Sequence, residues 1–307
     1  MQVKRLNYRG WPNCYRLSNG VVDLIVTTDV GPRIIRFGFV GEKNEFFEDE
    51  KALGKRGGNQ WRMYGGHRLW HAPEVEPRTY SPDNAPVKFE KRQGAVRLLQ
   101  QVEPKTGIQK EMFLFLSPRH AQVTITHRLW NRNPWAIELA PWALSVMAPG
   151  GVAIIPLPPR GSHPKDLPPS STLTLWAYTD LTDSRWTWGR QYALLRQDPR
   201  APKPQKIGAS VPDGWAAYAR AGHLFVKKFN HFRDATYADF GSSVETFTNK
   251  DMLEVETLGP LVRVGPGEAV HHIEYWFLFR AVPVPSNDAE VDRHVLPKVR
   301  AARLPHS

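Results

Sequence analysis

Features that mark several specialised classes of protein are scarce in this chain of 307 residues. Cys14 is its only cysteine, which excludes an intramolecular disulfide and a cluster of thiolate metal ligands. No run of about 18 apolar residues occurs, so the sequence predicts no membrane-spanning helix. The opening residues, MQVKRLNYRGWPNCYRL, lack the apolar region of a signal peptide, and we therefore expect a cytoplasmic protein without a membrane partner.

The chain also lacks blocks of like charge, although its overall charge is high. It carries 41 Lys and Arg against 30 Asp and Glu, a formal net charge of +11, which favours anionic partners. The basic residues are scattered, however, and no nucleic-acid-binding motif accompanies them. We predict a solvated basic surface, no nucleic-acid partner, and a small-molecule ligand that is neutral or anionic.

Short runs of β-branched and aromatic residues make up most of the chain. VVDLIVTT follows a turn signal at Asn19-Gly20, and RIIRFGFV follows a second turn signal. No segment before about residue 287 keeps a helical period for three turns. We therefore predict an all-β protein whose many antiparallel strands close into a barrel or stack as sheets.

Proline is concentrated in two segments, PLPPRGSHPKDLPPS and DPRAPKPQK. Such segments favour extended surface loops, and the same strand pattern resumes on both sides of each. We therefore predict a single domain over residues 1–307. Residues 287–307 are expected to add a short helix, interrupted by Pro297, and a tail.

Two glutamates alternate in the segment LEVET. Glu254 and Glu256 project from the same face of a strand, because side chains two residues apart share a face. Two carboxylates close together in a poorly solvated place raise each other's pKa, and one of them can then act as a general base near neutral pH. The alternative is a solvent-facing strand whose polar side simply carries charge.

The segment MYGGHRLWHAPE places several reactive groups behind two glycines. His67 and His71 lie four residues apart, so they share a face of an extended segment, and either imidazole can transfer a proton near neutral pH. Arg68 can bind sugar hydroxyls or an anion with its planar fork, and Glu74 can orient His71. The two histidines and Glu74 also form a weaker candidate for a metal site. Structural, hydrogen-bonded histidines are the alternative.

Tryptophan is abundant, with 11 residues. An indole ring stacks on the C–H face of a sugar while its N–H group donates a hydrogen bond. Most of these rings are expected in the core. We predict that Trp70 and Trp142 lie in a cleft and that Trp186 and Trp188 lie at its rim.

The segment VETLGPLVRVGPGEAVHHIEYWF resembles the C-terminal part of the galactose mutarotase (aldose 1-epimerase) superfamily, in which Glu-Thr precedes a Pro-Gly-Glu turn and a last aromatic strand. GGHRLWHAP resembles the Gly-Gly-led turn of the hexose-6-phosphate epimerase branch. The resemblance extends over most of residues 20–280 and is nearest to a poorly characterised bacterial branch. It implies a large antiparallel β-supersandwich with Glu256 as the catalytic base, and it brings Lys228 and Asp239 near the cleft.

The family's two histidines have no counterpart here. LAPWALSV places Trp142 where the histidine of the middle strand would fall, and RTYSPDNAPV contains no histidine. We therefore assign the general acid to His71 before His67. Sugar binding is assigned to Arg68, Trp70, Glu74, Trp142, Lys228, Asp239 and Glu254.

The predicted function is that of a mutarotase-like isomerase, which turns over the anomeric carbon of a hexose or a derivative without a cofactor or a metal. The missing histidines keep a second class open, a non-catalytic carbohydrate-binding protein that uses the same cleft. A glycan lyase or hydrolase on the same fold is the third alternative.

Overall fold

A computed structural model describes residues 1–304 of the chain, and two large antiparallel sheets dominate it. The first sheet has 11 strands. Its order is β1 (Gln2–Tyr8), β2 (Trp11–Ser18), β3 (Val22–Thr27), β4 (Arg33–Phe39), β5 (Gly66–Ala72), β10 (Ile137–Met147), β19 (Leu253–Leu258), β18 (Val244–Thr248), β15 (Gln205–Ala209) and β12 (Leu173–Leu175), with β20 (Val262–Val264) paired to the start of β10.

The second sheet has ten strands. Its order is β13 (Trp186–Trp188), β14 (Tyr192–Arg196), β11 (Val152–Pro156), β16 (Trp215–Arg220), β17 (His223–Phe229), β21 (Ala269–Arg280), β9 (Gln122–Asn131), β8 (Ile108–Leu116), β7 (Ala95–Leu99) and β6 (Lys88–Arg92). The prediction of an all-β protein built from stacked antiparallel sheets is confirmed.

The main core lies between the two sheets. Alternate side chains of the first sheet, such as Leu24 and Ile34, pack in one cluster with Ile125 and Trp276 of the second sheet. Cys14 is buried in a smaller cluster, and burial raises the pKa of its thiol to about 11, as expected for an unreactive cysteine. The outer face of the first sheet over β5, β10 and β19 carries a separate apolar cluster, which forms part of the cleft described below.

Two regions of the described residues are helical: a short turn before β18 and a segment near the C-terminus. α1 (Ala238–Gly241) is a turn rather than a regular helix, because Asp239 and Phe240 have positive φ angles of 49° and 59°. Near the C-terminus, α2 (Asp288–Glu290), a π-helical turn (Val291–Val295) and α3 (Leu296–Ala301) pack on the outer face of the second sheet.

The helix predicted after residue 287 is therefore present. Pro297 lies in the first turn of α3, a position that tolerates proline, and the helical segment continues through it. Residues 305–307 of the predicted tail lie outside the described residues. Over residues 1–304, none of the helices has the length and apolar character needed to cross a membrane.

Candidate functional site

A cleft of about 260 Å³ lies on the outer face of the first sheet. Strand alternation decides which side chains reach it. Arg68 and Trp70 of β5 and Trp142 of β10 project into the cleft, whereas His67 and His71 project from the opposite face of β5 toward the second sheet. The cleft walls are completed by loops that contribute Trp61, Met63, Glu74, Tyr80, Tyr178 and Asn249.

Arg68 and Glu254 form a fixed ion pair at one side of the cleft. The guanidinium Nη2 lies 2.9 Å from the Oε1 atom of Glu254, and both side chains are almost fully buried. The guanidinium also stacks on the ring of Trp70 at 4.4 Å and on that of Trp61 at 5.6 Å. The structure therefore places Arg68, Trp70 and Glu254, three of the sequence-predicted binding residues, together in the cleft.

Glu256 lies beneath the floor of the cleft and has no solvent exposure. The indole N–H of Trp142 donates a hydrogen bond of 2.8 Å to its Oε2 atom, while its Oε1 atom has no hydrogen-bond partner among the described residues. Burial is the main reason that its pKa is raised to about 7; the Lys206 ammonium lowers the pKa, and the Glu254 carboxylate raises it. Glu254 and Glu256 share a face, as the sequence predicts.

Lys206 of β15 is the cation at the centre of the site, and sequence reasoning missed it. Its ammonium lies 2.8 Å from Glu245, 3.7 Å from Glu256 and 3.9 Å from Glu74. It also lies 4.6 Å from the centre of the Trp142 ring. Burial lowers the pKa of Lys206, but the three carboxylates outweigh that effect and raise it above its ordinary value, so the group stays charged.

Glu245 of β18, also missed by the sequence analysis, lies directly opposite Glu256 on the neighbouring strand and is 1% exposed. Burial raises the pKa of Glu245 well above its usual range, against the lowering effect of Lys206. Strand patterns could not identify this group, because residues 74 and 206 are distant in sequence from the hairpin that carries residues 245 and 256. A lysine that directly precedes the apolar run Ile207–Ala209 was the only local signal.

Glu74 lies where the sequence analysis expects it, at the cleft wall. Its carboxylate accepts a hydrogen bond from the hydroxyl of Tyr80, and its side chain is 33% exposed. It does not contact His71. The predicted orientation of His71 by Glu74, and a metal site formed by these residues with His67, find no support in this arrangement.

His67 belongs to a buried polar network between the sheets. Its Nε2 atom lies 2.7 Å from the Nε2 atom of His127, and its Nδ1 atom lies 2.9 Å from the hydroxyl of Ser145. Glu274 lies beside His67 and His127. One ring nitrogen of each histidine and one carboxylate oxygen of Glu274 lie within 4.8 Å of one another, a spacing that also occurs in metal sites. The Lys227 ammonium, however, lies 2.6 Å from Glu274 and already neutralises it.

His71 and the two histidines of β21, His271 and His272, also lie outside the cleft. Burial lowers the pKa of His71 well below its ordinary value, and neither of its ring nitrogens has a hydrogen-bond partner among the described residues. His272 bonds the hydroxyl of Thr257 at 2.7 Å in the interior, whereas His271 is exposed on the other face of β21. The structure therefore places no histidine in the cleft within residues 1–304.

Other candidates lie away from the cleft. Lys228 donates a hydrogen bond of 2.7 Å to the backbone carbonyl of Ala302, on the outer face of the second sheet. Trp186 and Trp188 stack on each other in β13 at the edge of the second sheet and do not line the cleft. Asp239 lies in α1, near enough to raise the pKa of Glu245, but it too does not line the cleft.

Comparisons with known proteins show similarity in structure alone. No family model matches the sequence, and no curated protein matches it. The structure superimposes on a TPR-domain containing protein from Parabacteroides distasonis with a TM-score of 0.60 and 15% identity, covering 89% of this chain and 48% of that one. This chain thus spans about half of that structure's length.

Two further structures match over most of this chain and over most of their own length. A candidate aldose 1-epimerase from Klebsiella pneumoniae matches with a TM-score of 0.60 and 11% identity over 98% of this chain and 86% of its own. A galactose mutarotase related enzyme from Lactobacillus acidophilus matches with a TM-score of 0.55 and 9% identity over 89% of this chain and 99% of its own. Identities this low are informative about architecture only, and on that level the chain has the fold of the galactose mutarotase-like proteins.

Proposed function

We propose that the chain binds one sugar ring in this cleft and acts on its anomeric carbon as an aldose 1-epimerase-like isomerase. The observation that carries the proposal is the state of Glu256. One of its oxygens accepts a hydrogen bond of 2.8 Å from Trp142, the other has no hydrogen-bond partner within residues 1–304, and its pKa is about 7. Such a carboxylate can take up and return a proton near neutral pH.

The walls of the cleft suit a carbohydrate. Its volume of about 260 Å³ lies just below the roughly 300–1,000 Å³ of pockets for drug-sized ligands, which favours a single ring. Trp61 is partly exposed at the cleft wall and offers an aromatic face for sugar C–H groups, whereas Arg68 and Lys206 lie over the rings of Trp70 and Trp142. Arg68 and Glu254 offer a charged donor and an acceptor for hydroxyl groups.

In the proposed reaction, Glu256 takes the proton of the anomeric hydroxyl while the bond between C1 and the ring oxygen breaks. The ammonium of Lys206 donates a proton to the departing ring oxygen. Rotation about the C1–C2 bond turns the aldehyde over, the ring closes on its other face, and both protons return. Lys206 therefore takes the role of general acid that the sequence analysis assigned to His71 or His67.

In this proposal, the anomeric hydroxyl of the sugar approaches Glu256 from the side on which Lys206 lies. The contact between these two residues, at 3.7 Å, is longer than the contact of 2.8 Å between Lys206 and Glu245. We therefore expect a bound sugar to insert between Lys206 and Glu256, while Lys206 stays on Glu245.

Replacement of Glu256 tests the proposal. Glu256→Gln preserves the shape of the side chain but removes proton acceptance, so anomerisation should slow by roughly 10²–10⁴-fold while binding survives. NMR exchange rates of anomeric protons, measured over neutral, acidic and phosphorylated hexoses, provide the readout. Glu138→Gln, on the exposed end of β10, is the matched control and should leave the rate unchanged. Full activity in Glu256→Gln contradicts the assignment.

A non-catalytic sugar-binding protein is the second candidate function. The observation that favours it is the pairing of both cations of the cleft, Arg68 with Glu254 and Lys206 with Glu245, in a cleft without a histidine. In that case the parent binds a sugar from the panel and accelerates the anomerisation of none.

A further inference from the structure

Two fully enclosed carboxylates face a single cation below the cleft. Glu245 and Glu256 are directly opposite each other on β18 and β19, with exposures of 1% and 0%. Lys206 lies 2.8 Å from Glu245 and 3.7 Å from Glu256. With all three groups ionised, this buried cluster carries a net charge of −1, which burial in a low-dielectric environment disfavours.

The surrounding charged groups do not supply the missing positive charge. Arg68 is already neutralised by Glu254 at 2.9 Å. Glu74 and Asp239 add negative charge, and the interior cation Lys227 is neutralised by Glu274 at 2.6 Å. Tyr178 and Tyr80 are further titratable groups near Lys206, and burial raises the pKa of both phenols, so they stay neutral. A proton is therefore the means by which the cluster becomes neutral.

We propose that Glu245 and Glu256 hold one proton between them at neutral pH, and that Glu245 is a positioning residue that sets how tightly Glu256 holds a proton. Each carboxylate has one close donor: the indole nitrogen of Trp142 lies 2.8 Å from Glu256, and the Lys206 ammonium lies 2.8 Å from Glu245. The pair titrates as a unit, because each charge alters the proton affinity of the other.

The catalytic part of this inference rests on the proposed function, but the shared proton does not. Infrared spectra of the free protein at pH 7 should show one buried carboxylic acid, seen as its carbonyl stretch. That band should be lost in Glu245→Gln and also in Glu256→Gln, because each variant leaves one carboxylate facing Lys206. Glu138→Gln, on the exposed end of β10, is the control and should retain the band.

A measurement on the parent protein covers the case in which a variant does not fold. The ¹³C signals of the two glutamate carboxyl carbons should titrate together, with one proton present at pH 7. Absence of a carboxylic-acid signal in the parent, or its persistence in both folded variants, overturns the shared proton.

Activity then tests the role of Glu245. When Glu245→Gln removes the neighbouring carboxyl, Lys206 stabilises the anion of Glu256 without competition from Glu245, and the acid limb of the pH–rate profile should move to lower pH. An unchanged profile in a folded, active variant overturns the positioning role. If the parent accelerates no sugar, the proposed function fails, while the infrared result still decides whether the proton is shared.

Discussion

At the scale of single residues, Glu256 links proton binding to folding. Its pKa is about 7 in the folded chain, against about 4.3 for an exposed glutamate. The folded protein therefore binds this proton more tightly than the unfolded chain does. The resulting stability is fully present below about pH 4.3 and is lost as the pH rises through about 7.

Glu256→Gln should remove this dependence, because glutamine resembles the protonated acid at every pH. At pH 8 the variant should be more stable than the parent by on the order of 3 kcal/mol, and the two should converge near pH 4.5. Urea unfolding of both proteins between pH 4.5 and 8.5 measures the difference. A constant difference across that range contradicts the raised pKa of Glu256.

His67 is the residue for which the sequence prediction and the observed contacts disagree most. Its ring bonds His127 and Ser145 inside the protein, and burial lowers its pKa well below the ordinary value, so it is neutral at pH 7. His67→Ala should lower the free energy of unfolding by roughly 2–4 kcal/mol, because it leaves a cavity and unpaired polar groups. Sugar affinity should stay unchanged below the melting temperature. Normal stability with a 10²-fold or greater loss of anomerisation would instead support the sequence-based role.

The alternation of residues predicted which side chains share a face but not which face forms the cleft. His67 and His71 share a face of β5, and Glu254 and Glu256 share a face of β19, as predicted. The first pair points into the interior and the second toward the cleft. That choice depends on which face the second sheet covers, and both faces of β5 carry large side chains.

At the scale of secondary structure elements, the entry into β5 positions the cleft residues Arg68 and Trp70. Gly66 begins the strand with a φ of 70°, and a Cβ atom there would lie 2.3 Å from the backbone oxygen of Ile34. β4 and β5 pair at this point, so the backbone cannot move away without breaking the ladder. The glycine pair quoted in the sequence analysis is thus required by close packing.

Gly66→Ala should therefore lower the free energy of unfolding by roughly 3 kcal/mol or more, and it should weaken sugar binding by displacing β5. Gly20→Ala is the matched control, since Gly20 has a φ of 86° with no atom within 4 Å of the added methyl group. It should cost only about 1–2 kcal/mol, from the left-handed backbone alone. Equal losses in a denaturant titration contradict the steric argument.

At the scale of the whole molecule, the sequence predicted the class of fold but not its contacts. Local patterns predict strands, because alternation and turn residues are local signals. The cluster around Lys206, by contrast, joins β15 and the loop after β5 to the hairpin of β18 and β19, and only the order of strands in the sheet brings these three segments together. The assignment of all 307 residues to one domain stays a prediction.

The net charge of +11 is a property of the whole molecule that bears on nucleic-acid binding. Many of its cations are engaged locally: Arg16 and Arg36 both contact Asp23, Arg97 contacts Glu111, and Arg185 contacts Asp183. A duplex, in contrast, requires free cations spaced along its phosphates. A scattered and partly paired charge therefore favours solubility over nucleic-acid binding.

We accordingly expect no micromolar binding to random duplex DNA at 150 mM salt. A protein that makes six or more phosphate contacts loses about 10³-fold or more in affinity between 50 and 200 mM salt, because each contact releases counterions. Fluorescence anisotropy with a labelled random duplex over that range measures both the affinity and its slope. Weak binding with a shallow slope agrees with dispersed charge. Micromolar binding with a steep slope would show that the folded chain aligns its cations into a phosphate-binding surface, and the basic surface would then have a partner of its own.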